Sequence, residues 1–162
     1  RVTLREAARL TLVESDNTAH RVVKSYITDP ISNEQEVIQV LDFDYWVNLN
    51  QQGTPLIGAR SYASILRCLY LSCYLSNEHS QEILQILSDT EFSRRLNAGI
   101  PDSVPISHKI GTFADETQSD CGIVYIPRRP YLICIMLGLP QSEADKRIAE
   151  VSAIVYEYIV DQ

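Results

Sequence analysis

Apolar residues recur at Leu4, Ala7, Ala8 and Leu12, the spacing of one helical face, and predict a helix over 3–13. The run Glu14-Ser15-Asp16-Asn17 interrupts it with side chains that favour a helix N-cap. A second helical stripe follows at Ala19, Val22, Val23 and Tyr26. Asp29-Pro30 ends that stripe, because the residue before a proline is pushed out of the α region. A short helix is expected over 33–41, with Val37, Ile38 and Leu41 inward. From 42 to 58 the period vanishes, and the segment reads as a long ordered loop anchored by Tyr45 and Trp46. Tyr62, Ile65, Leu66, Leu69, Tyr70 and Cys73 then predict a strong helix over 60–74. Ser76 caps the next one, with Leu75 as a hydrophobic staple and Ile83, Leu84 and Leu87 on its inner face.

Past Asn97-Ala98-Gly99 the period changes from helical to strand-like. Residues 106–110 form a strand candidate, and 122–126 pairs with 131–137 around Pro127-Arg128-Arg129-Pro130, whose arginines read as a solvated hairpin tip. Gly138-Leu139-Pro140 breaks the last strand. Ser142 is expected to cap a terminal helix with Ile148, Val151, Val155, Tyr158 and Ile159 along one side. Helices first, then antiparallel strands, then one helix make an α+β chain without internal repeats.

Composition narrows the partners. The 162 residues are 45% hydrophobic and 22% charged, which suits one folded domain with its own core. Fourteen Lys and Arg against 21 Asp and Glu give a net charge of −7, which argues against a nucleic-acid partner. The apolar run at 131–139 is far too short to span a bilayer. The first residue is Arg1, and the sequence reads as beginning inside something larger or after processing. Cys68, Cys73, Cys121 and Cys134 show neither Cys-x-x-Cys nor zinc-like spacing with His20, His79 or His108, so no metal and no cofactor is expected. They read as small buried free thiols, with Cys68 and Cys73 on different helix faces and Cys121 and Cys134 not directly opposite.

Two short motifs carry the chemistry. Ser15-Asp16-Asn17 sits at the junction of two helices, and Lys109-Ile110-Gly111 sits on a strand that leads into a hairpin and a terminal helix. Either alone is weak. Together, in this order and in these settings, they resemble the penicillin-recognising serine hydrolases, in particular the class A β-lactamase-like family, whose signature is Ser-x-x-Lys, Ser-Asp-Asn and Lys-Thr-Gly. The resemblance extends over essentially the whole chain and implies a β-lactamase/transpeptidase-like fold. It divides the chain into a helical region (1–98) and a sheet with its terminal helix (99–162), two parts of one incomplete domain. It implies that Ser15 relays a proton to a leaving amide nitrogen and that Lys109 sets a positive potential beside it. Asn17 would bond the substrate's side-chain amide, and Asp16 would turn inward to hold the loop. Gly111 and Thr112 would line the substrate strand, with the Thr112 N–H in the oxyanion hole. His108 reads as a half-buried strand residue.

The departures are as informative. No Ser-x-x-Lys occurs in the 162 residues, so this chain alone is not expected to be an active hydrolase. The loop 42–58 contains no glutamate for deacylation, and Ile110 stands where the family has a small hydroxyl residue. The family builds its sheet with two more strands from an N-terminal part. Strand 131–137 is therefore expected to expose an edge that pairs with such a segment or with a second copy. Two functions are compatible with these features. One is the C-terminal part of a serine hydrolase acting by acyl transfer on β-lactam or peptidoglycan-like amides. The other is a non-catalytic binding or interaction module of the same fold. The family also implies an extracytoplasmic location.

Overall fold

The computed structural model describes residues 2–41, 57–113 and 117–162. The expected loop at 42–58, with Tyr45 and Trp46, lies almost wholly outside the described residues. Helix α1 (Leu4–Val13) starts where the Thr3 hydroxyl accepts from the Glu6 N–H. Helix α2 (Asn17–Ser25) starts at Asp16, whose Oδ1 accepts from the Ala19 N–H at 2.6 Å. Helix α3 spans Pro30–Val40, with proline in the first turn, where its missing N–H removes no helical bond. Helix α4 (Ala59–Leu71) and α5 (Asn77–Ser88) follow, α5 capped by Ser76 as its sequence predicts.

Helix α4 ends three residues earlier than its apolar stripe suggests. Ser72 adopts a left-handed conformation (φ 52°), and the Cys73 N–H turns back to the Cys68 carbonyl. The two cysteines, expected on different faces as free thiols, thereby come together and form a disulfide with Cα atoms 5.0 Å apart.

A 3-10 turn (Leu96–Gly99) leads to a sheet of β1 (Ile106–Phe113), β2 (Thr117–Val124) and β3 (Tyr131–Leu137), antiparallel in the order β1-β2-β3. In this register Cys121 stands directly opposite Cys134, and they too are joined by a disulfide. The expectation of free thiols is therefore wrong for all four cysteines. The turn before β3 places Arg128 in the left-handed region (φ 66°), and Arg129 reaches the carbonyl of Ile159 at 3.2 Å.

Strand alternation sorts the core into two layers. Ile106, Val124 and Ile133 face Leu96, Ile100 and Ile148 of the final helix α6 (Gln141–Val160). Cys121 and Ile123 face Leu66, Leu84 and Leu87 of α4 and α5. The α6 face differs from the sequence expectation. Val151 and Tyr158 are exposed, whereas Ala144, Ile148 and Ser152 are buried, and the helix begins at Gln141, before Ser142. Small residues decide this face because Gly99 packs on it. A Cβ there would lie 2.3 Å from the Ala149 carbonyl oxygen and 2.6 Å from the Ala153 nitrogen.

Candidate active site

The α1–α2 junction and the outer strand β1 meet along a cleft. At the junction α1 is closed by the Glu14 N–H on the Leu10 carbonyl, and Ser15 takes a left-handed backbone (φ 54°) before Asp16 caps α2. This kink is costly for a non-glycine residue, and such positions concentrate at functional sites. It leaves Ser15 half-buried, with its hydroxyl toward β1.

On β1 the pleat separates two sets of residues. Ser107 donates to the Leu84 carbonyl of α5 at 2.7 Å and lies 3.1 Å from the Tyr125 hydroxyl. Two positions on, Lys109 Nζ donates to Ser15 Oγ and to the Ile110 carbonyl at 2.9 Å. Residues 94 apart in the sequence are thus in direct contact. Burial holds the Lys109 pKa below the ordinary lysine value, because desolvation disfavours the ammonium and the more distant Asp120 charge only partly offsets it.

The other face of β1 carries His108, Ile110 and Thr112. His108 is wholly buried rather than half-buried as its sequence context suggests. Its Nδ1 meets both carboxylate oxygens of Asp120 at 2.8 and 3.0 Å, and Asp120 Oδ2 also accepts from the Leu96 N–H. Below Thr112 lies Arg95, 4% exposed, whose guanidinium makes five hydrogen bonds. Nε donates to Asp145 at 2.7 Å, Nη1 to the carbonyls of Gly111 and Ser119, and Nη2 to Thr112 Oγ1 and Gln118 Oε1. The fork therefore ties the end of β1 to β2 and α6.

Two lobes open at this seam. One, of about 440 Å³, is lined by Ser15, Asp16, Asn17, Lys109, Gly111 and Thr112 among others. The second, of about 260 Å³, shares Ser15, Ile110 and Thr112 and adds Phe92, Arg94 and Asp145. All six residues singled out from the motifs thus border one cleft. Asp16 departs from its expected role: it is exposed, and it holds the junction by capping α2 rather than by turning inward. A Cβ at Gly111 would lie 2.5 Å from Ser119 Oγ, so a side chain there would turn that hydroxyl aside. Ile110 borders both lobes. Arg95, Gln118, Asp120 and Asp145 carry no motif, and Arg94-Arg95 looks in sequence like any solvated basic pair. Among the described residues no cluster of metal-ligating side chains is found.

A family model described as the beta-lactamase enzyme family matches residues 1–159. The chain is 26% identical over 168 residues to a beta-lactamase of Bacillus licheniformis, covering 95% of this chain and 55% of that protein. It superposes on a mutant of PBP-A in an acyl-enzyme complex with penicillin G at a TM-score of 0.87 and 24% identity, covering 99% of this chain and 63% of that one. An ancestral class A beta-lactamase gives a TM-score of 0.82 at 25% identity, covering 97% and 66%. The chain therefore spans about half to two thirds of the length of these relatives.

Proposed function

The chain belongs to the beta-lactamase enzyme family, and from that premise we propose that its cleft is the proton-relay and substrate-strand side of an acyl-transfer site for β-lactam or peptidoglycan-like amides. The observation that carries this reading is the contact between Lys109 Nζ and Ser15 Oγ. It unites the two motifs and gives a hydroxyl that can pass a proton under a cation's control. Ser15 hands the proton to the leaving nitrogen, and Lys109 supplies positive potential for it and for the substrate carboxylate. Asn17 bonds the side-chain amide. Thr112, held by Arg95, offers its N–H to the oxyanion and its hydroxyl to the carboxylate. Residues 1–98 and 99–162 act as the two walls of this one cleft.

No Ser-x-x-Lys occurs in the sequence. Turnover by that motif therefore requires a nucleophile outside these 162 residues, and β3, whose outer edge is unpaired among the described strands, is where a further strand or a second copy would pair. An extracytoplasmic location fits the two disulfides, which persist in oxidising compartments. No described helix is long and apolar enough to cross a membrane.

The reading is tested by incubating the full-length protein with a fluorescent penicillin. A covalent fluorescent band, lost on boiling with hydroxylamine and absent from Lys109→Ala, is expected. The absence of deacylating glutamate in 42–58 favours slow release of that label. It also favours the second reading, a non-catalytic module of the same fold. Reversible binding of penicillin with no covalent band would establish that second reading, and neither binding nor labelling would overturn both.

A further inference from the structure

We propose that Phe92 and Ile110 make the second lobe a pocket for an aliphatic side chain on the leaving half of the substrate, so that the cleft selects amides whose leaving amine carries a branched apolar group of valine or leucine size. This selectivity rests on the acyl-transfer reading above, which fixes the direction in which a substrate lies. Ile110 and Phe92 are both half-buried, yet neither belongs to either of the two core clusters. Both line the lobe of about 260 Å³. Apolar side chains left out of the core and gathered on one cavity offer surface that a ligand can take out of water. Phe92 comes from the segment between α5 and the 3-10 turn, where its carbonyl accepts from Asn97 Nδ2 at 3.3 Å. Ile110 comes from β1, in register with Asp120 of β2. The polar members of the lobe leave this apolar surface uncovered. Arg95 and Asp145 bond each other at 2.7 Å, and Arg94 and Gln141 are exposed.

Asn17 decides which half of a substrate lies in which lobe, because it lines the first lobe and not the second. The acyl half, whose amide Asn17 bonds, therefore occupies the first lobe. Ser15 and Thr112 line both, which puts the scissile bond at the seam and sends the leaving amine into the second. In a peptide-like substrate the carbon next to the leaving nitrogen carries both the carboxylate and a side chain. With the carboxylate held by Lys109 and Thr112, that side chain is brought to Ile110, which lies between them in the strand. A small hydroxyl residue at position 110 would add a hydrogen-bond donor for the carboxylate. Isoleucine has none and adds apolar area instead. A leaving group without a side chain would leave Ile110 and Phe92 wet, and a hydroxylated one would bury its oxygen against carbon.

The full-length protein is titrated with N-acetyl-D-alanyl-D-valine, its D-threonine isostere and the glycine analogue, and dissociation constants are read by ligand-observed NMR. The D-valine ligand should bind about 10-fold or more tightly than the glycine one. It should also bind more tightly than the D-threonine ligand, which matches its shape but carries a hydroxyl in place of a methyl. Ile110→Thr keeps a β-branched residue suited to the strand and should abolish the preference for D-valine over D-threonine. Phe92→Ala should shrink the advantage of D-valine over glycine. Equal affinities for the three ligands, no binding of any of them, or a preference unchanged in both variants overturns the proposal. Should the variants fail to fold by far-ultraviolet circular dichroism, the wild-type ranking alone decides the question. A penicillin adduct together with equal affinities for the three dipeptides would leave the acyl-transfer reading standing without this pocket. A preference for D-valine without penicillin binding would sink the β-lactam reading and leave the pocket standing.

Discussion

Replacing Arg95 with methionine tests how the substrate strand is held. The side chain is 5% exposed and Asp145 is 13% exposed, so the pair is largely out of water. The five bonds, between 2.6 and 3.2 Å, reach acceptors on β1, β2 and α6. Methionine fills much of the same volume but removes every donor and leaves the Asp145 charge unpaired. Breaking one partner of a buried ion pair costs about 3–5 kcal/mol, and the wholly buried Gln118 amide places this case in the middle of that range. With a urea slope of about 2 kcal/mol/M, a loss of about 4 kcal/mol lowers the unfolding midpoint by about 2 M. The double variant Arg95→Met, Asp145→Leu should recover part of this loss, because it removes the stranded carboxylate. Lysine at position 95 offers three donors on a single nitrogen and cannot reproduce the planar fork, so it should recover less than half. The measurement is equilibrium urea unfolding followed by tryptophan fluorescence and circular dichroism. A midpoint shift below about 0.5 M for Arg95→Met, or wild-type stability for Arg95→Lys, would refute the account of the fork.

Other perturbations probe separate parts of the structure. Burial, with Asp120 adding to it, raises the Tyr62 pKa from 10.0 to about 12. The neutral phenol is thus favoured in the folded state; stability is full below pH 10 and falls as pH climbs toward 12, by up to about 3 kcal/mol. Tyr62→Phe should flatten that decline in alkaline urea titrations, and an unchanged slope would count against the cause named. Gly99→Ala drives a methyl group into the α6 backbone and should cost about 2 kcal/mol or more, read as a lower melting temperature. An unaltered melting temperature would mean that the 3-10 turn does not pack on α6 as described. Removing the Cys121–Cys134 bridge by double alanine substitution should cost about 2–4 kcal/mol and abolish most of the destabilisation that a thiol reductant causes in the parent.

Periodicity locates helices well when large apolar residues do the packing, as at Leu66, Leu84 and Leu87. It misleads on α6, where Ala144, Ser152 and the neighbours of Gly99 are buried because a backbone must approach closely. The large residues Val151, Ile154 and Tyr158 remain outside. The disulfides were hidden for local reasons. One depends on a left-handed Ser72 that sequence does not announce, the other on a strand register in which a shift of one residue would separate the cysteines. The site divides in the same way. Ser15, Asn17, Lys109, Gly111 and Thr112 are legible because motif resemblance encodes their convergence. Arg95 and Asp120 are not, because their importance lies in burial and in partners tens of residues away.

The two faces of β1 explain why this cleft sits where it does. Odd positions hold the strand to the helical region, through Ser107 on the Leu84 carbonyl and Lys109 on Ser15. Even positions hold it to the 3-10 turn and α6, through His108 on Asp120, which also takes the Leu96 N–H, and through Thr112 on Arg95, which also takes Asp145. A single strand therefore carries polar ties in both directions. Each tie fixes the depth at which its neighbour enters the seam. The geometry between Lys109 and Ser15 therefore depends on α6 as well as on the α1–α2 junction, and Gln141 and Asp145 of α6 share a lobe with Ser15. The Lys109–Ser15 contact is consequently a property of the whole two-layer packing, and loosening the Arg95 fork should disturb it from the opposite face of the sheet.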